Sequence, residues 1–186
     1  MPTALPPRHR FWRWFYDRAA FAYDPILQLA DRLRLGSEGR IRRQVLAGLS
    51  LNAGSTVLDL GCGTAASRPY LPATIHYIGV DFSRGMLRHA AAICAERQLQ
   101  ATFVQADAQV LPFAAKAMDL VLAMGVLQHV YAAPLAIGET LRTAKPGARL
   151  LLIDEHRAQS RILPALKCDN ARFQIMNEYF VLDLQI

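Results

Sequence analysis

A doubly wound α/β domain with a mostly parallel sheet is the fold class this sequence predicts, and three observations predict it. From about Asn52 onward, short apolar runs alternate with amphipathic stretches, the order that lays helices on both faces of a parallel sheet. The first apolar run ends in a glycine-bearing turn, Gly61-Cys62-Gly63, which lets a backbone turn tightly and approach a ligand with no side chain in the way. Carboxylates stand at three successive strand ends, Asp59, Asp81 and Asp107, and in such folds ligands lie beyond the carboxyl ends of the strands.

The elements follow in order. Before Asn52 the periodicity is helical: Phe11, Trp12, Phe15, Ala19 and Ala22 fall at helical spacing, Gly39 to Leu49 reads as a second helix, and Pro25 and Gly36 punctuate between them. Residues 1–50 therefore read as a helical cap and 51–186 as the ligand-binding domain, a single folding unit overall. Thr56 to Leu60 is a short strand running into the glycine turn. Ile75 to Val80 is a second, ending at Asp81, after which Ser83 suits the N-cap of a helix to about Gln98. Strands from Ala101 to Val104, Asp119 to Ala123 and Ala148 to Ile153, with a helix from about Pro134 to Ala144, continue the pattern. Phe180 to Ile186 supplies one further strand at most, so the sheet is expected to lack part of a C-terminal antiparallel hairpin, either lost or replaced at the sheet edge by a partner; a homodimer is among the expected partners.

Composition narrows the class. At 186 residues, 53% hydrophobic and 19% charged, the chain buries a core without a disulfide or metal staple. No apolar run approaches the roughly 20 residues that cross a bilayer, and MPTALPPRHRFWRW lacks the apolar stretch of a secretory signal; a cytoplasmic protein is expected. Cys62, Cys94 and Cys168 are odd in number, far apart and without zinc-type spacing, so no metal site is expected. The net charge of +6 reads as a solvated surface. At the N-terminus, however, Arg8, Arg10, Arg13 and Arg18 interleave with Phe11, Trp12, Trp14 and Phe15, a pattern that suits either a lid or a peripheral membrane contact.

The glycine turn alone admits two ligands. Gly61, Gly63 and Ala66 satisfy the relaxed dinucleotide pattern, and Asp81 lies where an acidic residue holds a ribose in either class. Asp59 favours a cationic ligand, because a carboxylate beside the loop repels a pyrophosphate and suits an ammonium and a sulfonium.

Taken together, VLDLGCGTA, GVDFSRGML, QADAQVLPF, DLVLAMGVLQHV and LRTAKPGARLLLID resemble, in the same order, the class I S-adenosylmethionine-dependent methyltransferases of the family that includes the ubiquinone/menaquinone C-methyltransferases. The resemblance covers roughly residues 50 to 155 and implies a Rossmann-like fold. It also implies methyl transfer from S-adenosylmethionine, leaving S-adenosylhomocysteine, to a small-molecule or lipid-like acceptor. By this resemblance Asp59 and the backbone of Gly61 and Gly63 hold the methionine part of the donor, Asp81 binds both ribose hydroxyls, and Phe82 and Met86 line the adenine. Asp107 accepts from the adenine amino group with the Ala108 amide nearby, and Met124 lies beside the transferred methyl. FYDRAAFAYD resembles the family's N-terminal cap, which places Tyr16 and Tyr23 over the donor. Ala65 stands where the family often has a third glycine.

Displacement at a sulfonium needs positioning and desolvation, with a base only if the acceptor loses a proton; His129, after the fourth strand, is the candidate base, and a hydrogen-bonded structural histidine is the competing reading. AMGVLQHV does not resemble the Asn/Asp-Pro-Pro-aromatic stretch of nucleic-acid amino methylases, which disfavours a nucleic-acid acceptor. A nicotinamide-dependent oxidoreductase and a non-catalytic S-adenosylmethionine-binding protein remain the alternatives.

Overall fold

The computed structural model describes residues 14–18, 38–155, 159–166, 171–176 and 179–186. Residues 14–18 are helical. They are followed among the described residues by α1 (Glu38–Ala47), β1 (Thr56–Leu60), β2 (His76–Asp81), α2 (Arg84–Glu96), β3 (Thr102–Gln105), β4 (Met118–Met124) and α3 (Ala133–Thr143). The chain then continues as β5 (Ala144–Glu155), α4 (Gln159–Leu166), β6 (Arg172–Met176) and β7 (Tyr179–Gln185). The strands form a sheet in the order β3-β2-β1-β4-β5-β7-β6, in which β1 to β5 are mutually parallel. The direction of winding reverses between β1 and β4, the topological switch point at which folds of this class bind their ligands.

The reason lies in the strands' apolar character. In β1, β4 and β5 successive side chains alternate between two buried clusters. Leu58, Leu60, Val121, Ala123, Leu150 and Leu152 pack on the face covered by α3 and α4. Val57, Leu120, Leu122, Leu151 and Ile153 pack on the opposite face with Ile41 and Leu46 of α1 and Ala90 and Cys94 of α2. A strand apolar on both faces is stable only where helices cover both, hence the three layers. Ser83 caps α2 as its position suggests, its Oγ accepting from the Met86 amide at 3.1 Å. Between β1 and β2 the chain makes only a 3-10 turn, Arg68–Tyr70. Arg68 anchors that turn from inside the protein, 1% exposed, with Nε donating to the Gln100 carbonyl at 2.8 Å and Nη1 to those of Leu71 and Pro72.

The C-terminal hairpin corrects the sequence-based expectation. Both of its strands are present: β7 runs antiparallel to β5 from Arg149↔Gln185 to Glu155↔Tyr179, and β6 pairs antiparallel with β7. Two residues separate the strands. Arg172–Met176 escapes a reading by apolar run because Phe173 and Ile175 alternate with Arg172 and Gln174, and all four are exposed. Phe173 is held by stacking on Phe180, ring centroids 5.9 Å apart. The sheet edge expected to await a partner is thus covered from within the chain by a short β6.

Candidate functional site

The site is built first by the turn after β1. Gly61 and Gly63 take positive φ, 65° and 53°, a region that side chains disfavour. At Gly61 a side chain would also strike Val126, whose Cβ lies 2.6 Å from where a methyl would sit, whereas Gly63 faces open space. Asp81, at the end of β2, fixes the turn: its Oδ2 accepts from the Gly63 amide at 3.0 Å and its Oδ1 from the Ser83 amide at 2.8 Å. Each oxygen keeps a lone pair for a ligand hydroxyl. Burial pushes the Asp81 carboxyl up to about 6, with the amides of Ser83, Gly63 and Phe82 opposing and the nearby Asp59 charge adding to the rise.

Beneath the turn, Asp59 is 2% exposed and accepts from the Tyr77 hydroxyl at 2.6 Å. Burial raises its carboxyl, against the Tyr77 bond and the charge of Arg42. The Cys62 thiol in the same turn is held protonated, raised well above its ordinary value by burial and by the charges of Asp59 and Asp81.

Above the turn lies the helical segment 14–18. The Tyr16 ring meets Phe82 edge-on at 6.1 Å and His129 at 6.0 Å. Phe82 follows β2 and His129 follows β4, the two neighbours of β1, so a ring touching both spans the carboxyl end of β1. Burial, then Asp81, then Glu38, raises the Tyr16 hydroxyl, which keeps it a hydrogen-bond donor.

Two further loops complete the rim. After β3, Asp107 makes a tight turn, its Oδ1 accepting from the Gln109 amide at 2.9 Å, while Gln109 Oε1 accepts from the Ala132 amide at 3.1 Å. After β4, the turn Leu127–His129 is held by Asp154 of β5. That residue is wholly buried, and its Oδ2 accepts from the amides of Leu127 at 2.8 Å and Gln128 at 3.2 Å. Burial pushes the Asp154 carboxyl up to about 6 despite these bonds.

Comparison with known proteins identifies the family. Residues 58–152, half of the chain, match the model of the family described as "Methyltransferase domain". The chain belongs to this family. It is 34% identical over 140 residues to the demethylmenaquinone methyltransferase of Paenarthrobacter aurescens, a match covering 75% of this chain and 53% of that protein. It is 29% identical over 157 residues to the ubiquinone/menaquinone biosynthesis C-methyltransferase of Syntrophotalea carbinolica, covering 83% and 65%. The chain thus spans little more than half the length of the curated relatives it matches. Among solved structures, a putative S-adenosylmethionine-dependent methyltransferase from Methanococcus maripaludis superposes with a TM-score of 0.71 at 16% identity, over 91% of this chain and 92% of that one, which shows the fold. A [4+2]-cyclase superposes with a TM-score of 0.65 at 26% identity, over 74% and 58%.

S-adenosylmethionine is the cofactor implied by the family, with S-adenosylhomocysteine as product, and the donor set fits it. Asp81, Asp107 and Asp154 take their hydrogen bonds from amide groups rather than from cations. Among the described residues these three carboxylates have no cation as hydrogen-bond partner, a negative lining suited to a sulfonium and an ammonium and adverse to a pyrophosphate. The structure brings Gly61, Gly63, Asp81, Phe82, Tyr16 and His129 together around the end of β1. Met86 and Met124 are buried, 2% and 5% exposed, and Ala108 packs partly buried against the core; Tyr23 lies outside the described residues. Sequence reasoning missed Asp154, although the strand-end rule that found Asp81 applies to it equally. It also missed Asp17, whose only signal is its place beside Tyr16.

Proposed function

We propose that the chain transfers a methyl group from S-adenosylmethionine to a small, lipid-like acceptor, with a quinone-type ring the best match to its relatives' names. The observation that carries this reading is the crevice at the switch point: Asp81 sits over a glycine turn roofed by Tyr16, inside a rim of exposed apolar side chains. That rim consists of Val110 at 74% exposure and Tyr131 at 67%, on loops that the Gln109–Ala132 bond ties together, and Leu135 at 60% in the first turn of α3. Trp14 and Phe15 are exposed beside it.

In this reading Asp81 accepts from the ribose hydroxyls, the Gly61–Gly63 backbone and Asp59 face the methionine part, and Phe82, Met86, Asp107 and the Ala108 amide surround the adenine. Tyr16 and Met124 close around the sulfonium, which supplies an electrophilic methyl when bound. The chain's own task is to orient the acceptor in line and exclude water. His129, exposed at the rim and facing Tyr16, stands where it can take a proton from an acidic acceptor, its turn fixed by Asp154. A nicotinamide-dependent reaction is disfavoured by the acid-lined crevice. A lipophilic acceptor also suits a chain that touches a membrane from one side, and among the described residues no helix is long and apolar enough to cross one.

Calorimetry against S-adenosylmethionine, S-adenosylhomocysteine and NADH tests donor choice, and mass spectrometry of a lipid extract incubated with labelled donor tests transfer. A product heavier by one labelled methyl supports the reading. Tighter binding of NADH sinks it, and donor binding without any methylated product moves the chain towards a different use of the fold, as the name of the [4+2]-cyclase illustrates.

A further inference from the structure

Ser83 Oγ and the Gly85 amide, at the start of α2, both donate to one oxygen of Asp17, at 2.7 and 2.8 Å. The helix that begins beside Asp81 is thus capped twice, by its own Ser83 and by a carboxylate reaching in from 66 residues earlier in the chain. A second, independent feature marks the same spot. A methyl added at Gly85 would stand 2.7 Å from the Asp17 Cα and closer still to its carbonyl oxygen. These are backbone atoms, which cannot rotate away as a side chain can. Gly85 carries no positive φ, so the helix does not need a glycine there, and the close approach of segment 14–18 does. By contrast, Gly138 in α3 has nothing within 4 Å of an added methyl.

We propose that Asp17 is a positioning residue that latches segment 14–18 onto the first turn of α2, with Gly85 as the keyhole, and so holds Tyr16 across the donor crevice. The proposal rests on the reading of that crevice as the donor site. It follows from the chain geometry: Tyr16 and Asp17 are adjacent, so fixing the Asp17 carboxylate on α2 fixes the ring that bridges Phe82 and His129. A carboxylate is the suitable group, since the exposed amide of a helix's first turn and the positive end of its dipole both favour an anion.

The chain supplies its own reporter. Its two tryptophans are Trp12 and Trp14, so in a Trp12→Phe background the emission comes from Trp14 alone, three residues from the latch. Asp17→Ala, Asp17→Asn, Gly85→Ala and the matched control Gly138→Ala are compared in the full chain for Trp14 anisotropy, S-adenosylhomocysteine affinity and melting midpoint. Gly85→Ala is the decisive variant, because alanine is the better helix former while its methyl evicts the segment. It should lower Trp14 anisotropy and weaken S-adenosylhomocysteine on the order of tenfold, the scale of one charge-assisted hydrogen bond, without lowering the midpoint. Asp17→Ala should match it, Asp17→Asn should fall between it and the parent, and Gly138→Ala should behave as the parent. Unchanged anisotropy and affinity in Gly85→Ala overturn the latch, and so does a loss of affinity that tracks a lowered midpoint, which marks a merely structural contact. If the parent chain does not bind S-adenosylhomocysteine, the donor reading fails, and anisotropy alone then decides whether the latch exists.

Discussion

The two ends of the sheet treat their carboxylates in opposite ways. At the amino end, where a cleft of about 1040 Å³ is lined by Asn52, Asp119, Lys145, Arg149, Arg172 and Asp183, acids are paired with bases. Asp119 accepts from Lys145 at 2.7 and 2.8 Å, and Asp183 accepts from Arg149 Nε at 2.6 Å. Burial works to raise Asp119, but the Lys145 bond and the Thr56 amide outweigh it and hold the carboxyl below its ordinary value. At the carboxyl end Glu38, beside Gly125, pairs with Arg42, but Asp81 and Asp154 are raised to about 6 by burial, and among the described residues their hydrogen bonds come from amides. A fold gains nothing in stability from leaving buried carboxylates such as Asp81 and Asp154 without counter-charges, which supports the carboxyl end as the proposed ligand site.

Substitution at the two ends should separate these roles most sharply. Asp81→Ala is expected to weaken S-adenosylhomocysteine by roughly 2 to 4 kcal/mol, the loss of two charge-assisted ribose bonds. Asp183→Ala is expected to leave that affinity alone and lower stability by at most about 1 kcal/mol, as for an exposed pair. Calorimetry and denaturant titration of both variants check this, and equal effects on affinity would end the distinction.

The pH response should also run in opposite directions for binding and for folding. Because Asp81 and Asp154 bind protons more tightly folded than their ordinary 3.8, at about 6, the native state takes up protons between these values. The stabilisation they lend is complete below about 4 and is lost as pH rises through about 6. Donor affinity should do the reverse and fall as pH drops through about 6, because a protonated Asp81 is a poorer acceptor for the ribose. Calorimetry from pH 5 to 8 should find this fall in the parent chain and not in Asp81→Asn.

What was legible in the sequence follows the same division. The parallel core could be read because β1, β4 and β5 are apolar on both faces, and Ser83 because N-caps are local. Asp81 was visible because a strand-end position has a fixed relation to the crevice. β6 was not, since an edge strand with exposed Phe173 and Ile175 carries no buried pattern. Nor was the pairing of Asp17 with Gly85, a contact across 68 residues that no local periodicity encodes. Asp59 shows the limit of charge reasoning: the sequence puts a carboxylate beside the turn, and only the fold reveals Tyr77 beneath it.

A smaller effect is expected on the far wall of the crevice. Asp107→Ala should weaken S-adenosylhomocysteine by on the order of 1 to 2 kcal/mol, because a single amino contact is lost and water can replace it. Asp107 also holds Gln109, which in turn holds the Ala132 amide. Gln109→Ala is therefore the companion measurement: it should disturb acceptor turnover through the Tyr131 loop while leaving donor affinity near the parent value. A donor-affinity loss in Gln109→Ala as large as that in Asp107→Ala would mean that the loop, and not the carboxylate, faces the adenine.

The smallest effect is expected at Ala65, in the same turn as the glycines. Ala65 adopts φ 60°, a left-handed conformation that costs an alanine about 1 to 2 kcal/mol relative to the right-handed one. It remains there because its amide donates to the Cys62 carbonyl at 2.8 Å, its own carbonyl accepts from the Arg68 amide at 3.0 Å, and its methyl is buried at 2% exposure. Ala65→Gly relieves the strain but gives up about 0.8 kcal/mol of methyl burial. It also frees the unfolded chain by a further 0.4 to 1 kcal/mol or so. The terms nearly cancel, so stability should move by less than about 1 kcal/mol, with donor affinity unchanged because the turn already has the shape a glycine would give it. Denaturant unfolding of the variant measures the first and calorimetry the second. A marked gain in donor affinity would show that the strained alanine holds the turn away from its binding shape, and that the negatively charged end of the sheet is less fully arranged for its ligand than the comparison of the two ends implies.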